Sequence, residues 1–260
     1  MTKRIIFILL LTLPFTTHAQ KYVLYKGDTI NRIDKSGRKQ GVWKKYYRND
    51  KLFYNGFFKD DIAQGVFTYY YPTGKQKATN RFYENGTKSE FTGYHENGKP
   101  EMKGNYYKEK KDGLWQYYDE SGNITLSESY ESGTPQGIWT TYYPEGGKVR
   151  EITYTQGHQT GPWKLLYKDG KIRAEATMVD SSFVGPFKLF YPDGNPRITG
   201  KYDKQGKADS VWTIYREKPA GEVERTETYK HGTLTSPIVG ENETPIESEI
   251  EKEIKKKDDE

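Results

Sequence analysis

The stretch Gly137-Ile138-Trp139-Thr140-Thr141-Tyr142-Tyr143-Pro144-Glu145-Gly146-Gly147-Lys148 decides the fold, because it recurs along the chain. Its opening Gly-x-aromatic tripeptide also stands at Gly41–Trp43, Gly65–Phe67, Gly113–Trp115, Gly161–Trp163 and Gly185–Phe187. Ser replaces Gly at Ser89–Phe91 and Ser210–Trp212. The aromatic positions are spaced by 24 residues six times and by 25 once, and all five Trp of the chain fill this slot. At 15% aromatic content, eight coincidences have a chance of about 10⁻⁶ to 10⁻⁷, so the period is real.

More slots repeat in register. Three residues after the Trp/Phe stand Tyr46, Tyr70, Tyr94, Tyr118, Tyr142, Leu166, Phe190 and Tyr215. The next position holds Tyr47, Tyr71, His95, Asp119, Tyr143, Tyr167, Tyr191 and Arg216. Seven residues after the Trp/Phe comes Gly74, Gly98, Gly122, Gly146, Gly170 or Gly194, with Asp50 in the first repeat. Such residues supply the positive φ that tight hairpin turns demand. A second segment then alternates apolar and polar, as in Ile172 to Met178, the period of a half-buried strand. Each unit therefore reads as one β-hairpin. Sixteen antiparallel strands in sequential order make a ribbon of about 75–80 Å. A lone hairpin is marginal, so neighbours stabilise one another and the ends need caps.

Composition agrees with a thin, all-β repeat. The 260 residues hold 33% hydrophobics, a count that includes Tyr and omits Gly. Exchanging 23 Tyr for 26 Gly leaves about 34%, below the roughly 45–50% of an average globular domain. A deep aliphatic core is excluded, and the aromatic content argues against sustained disorder. Lys3 and Arg4, the apolar run Ile5 to Leu13 and the small-x-small site Thr17-His18-Ala19 read as a signal peptide over 1–19. The run is too short to span a membrane. Export to the periplasm, the cell envelope or the medium follows, without a membrane span after cleavage. With no Cys, disulfides and thiolate metal sites are excluded.

The domain reading is a signal peptide over 1–19, an N-terminal cap over 20–40, eight hairpins over 41–232 and a charged, mostly disordered tail over 233–260. In that tail Ile246, Ile250 and Ile254 lie four apart, a spacing that also admits a short helix formed on binding. The formal charge is +5 overall. Glu241 to Glu260 carries nine acids and four Lys, which leaves the repeat body near +8 once Lys3 and Arg4 are removed. A basic body attracts acidic partners, anionic glycans or lipid headgroups, although its alternating signs also suit a solvated face. Nucleic acid is not expected of an exported chain without a recognition helix.

The pattern Gly-x-Trp-x-x-Tyr-Tyr-x-x-(Asn/Asp)-Gly-Lys over 41 to 232 resembles the variant form of the MORN repeat (membrane occupation and recognition nexus). The resemblance implies an extended, single-layer antiparallel sheet without catalytic residues. It also implies company with YwqK-type antitoxin-like (immunity) proteins, exported members, scaffolds and membrane-associated adaptors. The third repeat departs from the pattern at Ser89 and Gly93, where the sheet is expected to bend or pause.

Little catalytic chemistry is visible. His95, His158 and His231 are scattered over several repeats, so no shared metal site is expected. No nucleophile elbow, phosphate loop or metalloprotease helix is present. We therefore expect no enzyme and no cofactor. The Gly-x-aromatic slots (Gly41, Gly65, Gly113, Gly137, Gly161, Gly185 with Trp43, Phe67, Phe91, Trp115, Trp139, Trp163, Phe187, Trp212) are read as structural. For Tyr47, Tyr71, His95, Tyr143, Tyr167 and Tyr191 two readings stand side by side: a binding surface, since Tyr is favoured at interfaces, or a structural slot. The leading functional expectation is an exported protein-binding scaffold, adaptor or antitoxin-like immunity factor. The alternatives are a cell-wall glycan binder and a binder of anionic membrane surfaces.

Overall fold

The computed structural model describes residues 20–25, 27–236 and 244–255. The signal peptide read over 1–19 lies outside the described residues. The chain forms one antiparallel sheet of 20 strands in which sequence neighbours pair. A first hairpin joins β1 (Lys21–Tyr25) to β2 (Asp28–Ile33). The repeats follow: β3 (Lys39–Tyr46) with β4 (Leu52–Lys59), β5 (Ile62–Tyr70) with β6 (Gln76–Tyr83), and β7 (Lys88–Tyr94) with β8 (Pro100–Tyr107). Next come β9 (Lys110–Tyr118) with β10 (Ile124–Glu131), the short β11 (Thr134–Pro135), and β12 (Gly137–Tyr142) with β13 (Lys148–Thr155). The last three hairpins are β14 (His158–Leu166) with β15 (Ile172–Val179), β16 (Ser182–Phe190) with β17 (Pro196–Tyr202), and β18 (Ala208–Tyr215) with β19 (Val223–Lys230). The two-residue β20 (Thr233–Leu234) closes the sheet.

The turn chemistry follows the sequence pattern. In the first seven hairpins the glycine slot has positive φ, as at Gly74 (92°) and Gly194 (92°), and Asp50 takes the same conformation at 59°. Between hairpins, pairs such as Asp60–Asp61 and Asp180–Ser181 have φ > 0 at both residues, the geometry that matches strand twist. The Gly of Gly-x-Trp has its own reason. It sits at positive φ (65° at Gly65, 77° at Gly185) where the register to the preceding strand shifts by a bulge, a conformation Gly adopts without steric cost. Ser210 is held there at 65°. Ser89 has no positive φ, because the β6–β7 ladder runs without a bulge. The departure in the third repeat thus marks an unbulged junction.

Successive hairpins are tied along both edges. On one edge, inter-hairpin turns bond backward, as Gly133 N–H to Lys111 O (2.7 Å) and Gly157 N–H to Pro135 O (2.9 Å). On the other, side chains of one turn reach the next, as Asn97 Nδ2 to the Glu120 carbonyl (2.8 Å). At the N-terminal end, Asn31 Nδ2 donates to Lys44 O (2.9 Å), and its Oδ1 accepts from Lys44 N–H (2.8 Å). A side-chain amide there extends the ladder of a strand.

The end of the chain differs from the expected disordered tail. Residues 246–255 form helix α1 (Ile246–Lys255), with Ile246 and Ile250 fully buried against the last three hairpins. The four-residue spacing of Ile246, Ile250 and Ile254 is the physical reason. It gives a charged segment one apolar stripe, and the sheet supplies a surface to bury it.

Candidate functional site

The two faces of the sheet are chemically different. One carries the Trp/Phe slot and is termed the Trp face. There each ring lies over a backbone position of the strand before it. A Cβ on Gly56 would meet Phe67 at 2.3 Å, one on Gly104 would meet Trp115 at 2.2 Å, and one on Gly200 would meet Trp212 at 2.0 Å. The repeat pattern does not single out these three glycines, although each stands thirteen residues after a Trp/Phe slot. Aromatics at the end of the second strand fill the gaps between rings. Phe67 packs edge-on to Phe58 (5.1 Å) and Phe82 (5.2 Å), Trp115 to Tyr106 (4.9 Å), and Trp212 to Tyr202 (5.0 Å). The result is a ladder of rings in place of an aliphatic core. The opposite face has single exposed apolar residues, such as Leu114, Ile138 and Val211, set among polar neighbours.

The tyrosine slot proves to be a row of inter-repeat ties. Tyr47 Oη donates to Tyr70 O (2.7 Å), Tyr71 to Tyr94 O (2.7 Å), Tyr143 to Leu166 O (2.9 Å), Tyr167 to Phe190 O (2.6 Å) and Tyr191 to Tyr215 O (2.8 Å). His95 makes the same bond from Nε2 to Tyr118 O (2.9 Å), which fixes Nε2 as the protonated nitrogen. Asp119, in the same slot, turns instead to its own loop, where the Asn123 backbone N–H holds its carboxyl below the ordinary aspartate range. These bonds give the slot a structural role in joining successive repeats. His158, at the start of β14, and His231, in the turn after β19, stand apart from each other against Asp180 and Asp203. Among the described residues no group of three or more His, Asp or Glu could hold a metal ion.

Two parts of the Trp face bear polar clusters. In the fourth repeat, Glu128 Oε2 accepts from Tyr117 Oη (2.6 Å), Tyr130 Oη (2.9 Å) and Lys111 Nζ (3.2 Å). The ammonium of Lys111 lies 4.9 Å from the centroids of both Trp115 and Tyr130, a cation held by ring faces. Burial first, then the Glu128 hydrogen bond, pushes the Tyr117 and Tyr130 phenols well up. In the eighth repeat Glu227 holds the same slot opposite Trp212, as Glu128 does opposite Trp115. Glu227 Oε2 accepts from the Ile246 backbone N–H (3.0 Å) at the N-terminus of α1, where a carboxylate satisfies an orphan donor and complements the helix dipole.

From that anchor α1 crosses the Trp face towards the sixth repeat. Its apolar stripe lies in one cluster with Trp212, Ile214, Leu189, Ile198 and Leu165. Its acids meet a row of arginines. Arg225 Nη2 donates to Glu249 (2.9 Å), Arg197 Nη1 to Glu253 (3.0 Å), and Arg173 Nη2 to Glu253 (2.5 Å). Burial raises the Glu253 pKa, but the Arg173 and Arg197 hydrogen bonds outweigh it and hold the carboxyl below the ordinary glutamate range. Arg173 and Arg197 also lie over the Tyr167 and Tyr191 rings. Among the described residues no helix covers the same face of the first five repeats. Among the described residues no helix is long and apolar enough to cross a membrane.

Tandem hairpins with stacked Gly-x-aromatic slots define a β-repeat protein. The family model of the MORN repeat variant matches residues 39–60, 89–108, 111–132, 135–156, 159–180 and 183–204, half of the chain. The chain belongs to that family. The hairpins β5–β6 and β18–β19 fall outside the matched ranges yet repeat the same pairing. No curated protein matches the chain. Among solved structures, the pneumococcal O-GlcNAc transferase GtfA in complex with UDP and GlcNAc overlaps at 20% identity and TM-score 0.25, covering 37% of this chain and 19% of that one. A mutant of S. aureus TarM in complex with Fondaparinux, alpha-GlcNAc-glycerol and UDP overlaps at 10% identity and TM-score 0.24, covering 46% and 19%. TcdB2-TccC3-TEV overlaps at 12% identity and TM-score 0.21, covering 80% and 14%. The chain spans less than a fifth of each, and these overlaps bear on neither fold nor function.

Proposed function

We propose that this MORN-repeat protein is an exported, non-catalytic scaffold that binds another protein through its Trp face. One observation carries the reading. The Trp face of the last three repeats already accommodates an amphipathic helix, the chain's own α1, by burying its apolar stripe and pairing its acids with arginines. The same face continues over five repeats that no helix covers among the described residues. Half-buried rings such as Trp43, Phe91 and Trp139, bordered by cations such as Lys39 and Lys111, suit protein recognition, where Tyr, Trp and Arg supply most of the binding energy. A captured toxin would make the protein an immunity factor, and a structural or signalling protein would make it an adaptor.

The experiment is crosslinked affinity capture of the tagged chain in its native cell, followed by reconstitution with the purified candidate. A single protein that binds at 1:1 supports the reading. Sedimentation with purified wall material or anionic vesicles, with no protein captured, overturns it in favour of glycan or membrane binding.

A further inference from the structure

The arginines that hold α1 form a series. Arg225 lies on β19, Arg197 on β17 and Arg173 on β15, alternate strands about 10 Å apart. The next alternate strand, β13, carries Arg150. Arg150 stands opposite Thr141, two residues after Trp139, just as Arg225 stands opposite Ile214, two residues after Trp212. In the sixth and seventh repeats that register is held by Ala174 and Ile198, and Arg173 and Arg197 stand one residue earlier, at the bulge; Arg150 differs from all three in its partner. The other three arginines each hold a carboxylate of α1, whereas Arg150 has no ion-pair partner among the described residues.

Arg150 lines an open groove of about 450 Å³ together with Trp139, Ile152, Tyr154 and Trp163. Ile254, on the last turn of α1, forms one end of this groove. The groove thus adjoins the last described turn of α1 and repeats the elements of the α1 site: ring faces, an aliphatic floor and a half-buried arginine. A basic helix would be opposed by Arg150 and Arg173, whereas an acidic one would meet a planar donor fork ready for a carboxylate.

We infer that this groove binds an acidic amphipathic helix of a partner protein, laid end to end with α1. One carboxylate of that helix sits on Arg150, and its apolar stripe covers Trp139, Ile152 and Tyr154. The inference rests on the Trp-face reading above and names the chemistry of the partner.

The probe is a synthetic peptide with the sequence of residues 244–255, labelled and titrated onto the purified protein up to about 1 mM, the weak end of specific affinity. The expected result is saturable 1:1 binding with hydrogen exchange over 246–255 of the protein unchanged. Arg150→Glu weakens it at least tenfold, and Arg150→Lys retains part of it. Arg150→Gln serves in place of Arg150→Glu if the charge reversal unfolds the chain. Absence of saturable binding overturns the inference, and so does binding indifferent to Arg150. Loss of protection over 246–255 also overturns it, since the peptide would then be displacing α1. An Arg150-dependent dimer assigns the groove to a second copy. Binding that appears only after removal of residues 256–260 assigns it to the chain's own terminus. If the peptide fails while a captured protein still binds the Trp face, only the helical partner is lost; if both fail, the scaffold reading falls too.

Discussion

Ile250→Ala separates α1 from the sheet it lies on. Ile250 is 2% exposed and belongs to the cluster of the last three repeats. Truncating a buried Ile to Ala costs about 2–5 kcal/mol, the lost transfer energy plus the cavity left behind. Little else opposes undocking. Isolated helices shorter than about 12–15 residues are marginal, and α1 has ten residues. Besides Ile250 its deep anchors are Ile246, whose backbone N–H bonds Glu227, and the bonds of Glu249 and Glu253 to the arginines. The helix should therefore open as a local unit while the ladder beneath persists. A loss of about 2–4 kcal/mol raises its opening constant about 30- to 700-fold. Hydrogen exchange read by mass spectrometry reports both regions at once. We expect peptides covering 246–255 to lose protection by that factor, with β14 to β17 changed little. Unchanged protection over 246–255 would refute the reasoning, because α1 would then not be held by its apolar stripe. Equal loss throughout the last repeats would refute it as well, because α1 and the sheet would then be one cooperative unit.

Three further perturbations test the parts separately. Tyr167→Phe removes the 2.6 Å bond to Phe190 O and should lower stability by about 1–2 kcal/mol, seen as a lower urea midpoint at unchanged slope; an unchanged midpoint contradicts the inter-repeat tie. Gly104→Ala places a Cβ 2.2 Å from the fully buried Trp115 and should cost about 1–3 kcal/mol through overpacking, whereas a neutral effect would mean the ring is free to move. Glu253 has a folded-state pKa below its unfolded value, so its contribution is present above the ordinary glutamate range and is lost as pH falls through and below it. Tryptophan emission should report α1 release on acidification, and Glu253→Gln should remove much of that pH dependence; an identical acid profile in the variant counts against the arginine clamp.

Much of the fold is legible in the sequence because it is local. A hairpin repeat writes its period into the chain, and the Trp slot, the turn glycines and the alternation of Ile172 to Met178 each report one hairpin. What escaped depends on relations between hairpins. The tyrosine slot leaves a binding surface and a structural role equally open when each repeat is viewed alone. Its hydroxyls are spent on a carbonyl 23 or 24 residues onward, a contact that only the stacking register creates. Gly56, Gly104 and Gly200 matter for the same reason, since the ring that excludes their side chains belongs to the next repeat. The charged end of the chain reads as a solvated tail by composition. Its stripe of Ile246, Ile250 and Ile254 is significant only beside Arg173, Arg197 and Arg225, which stand some 20 to 80 residues earlier.

Strand alternation allows a direct measurement of which face works. Tyr154 lines the Trp-face groove, while its neighbour Thr153 pairs with the exposed Ile138 on the opposite face. A photoreactive p-benzoylphenylalanine at one position or the other, in the tagged chain in its native cell, differs only in the side of the sheet it probes. Binding through the Trp face predicts a saturable adduct with a single protein from position 154 and none from 153. An adduct from 153 alone, or none from either position, would contradict it.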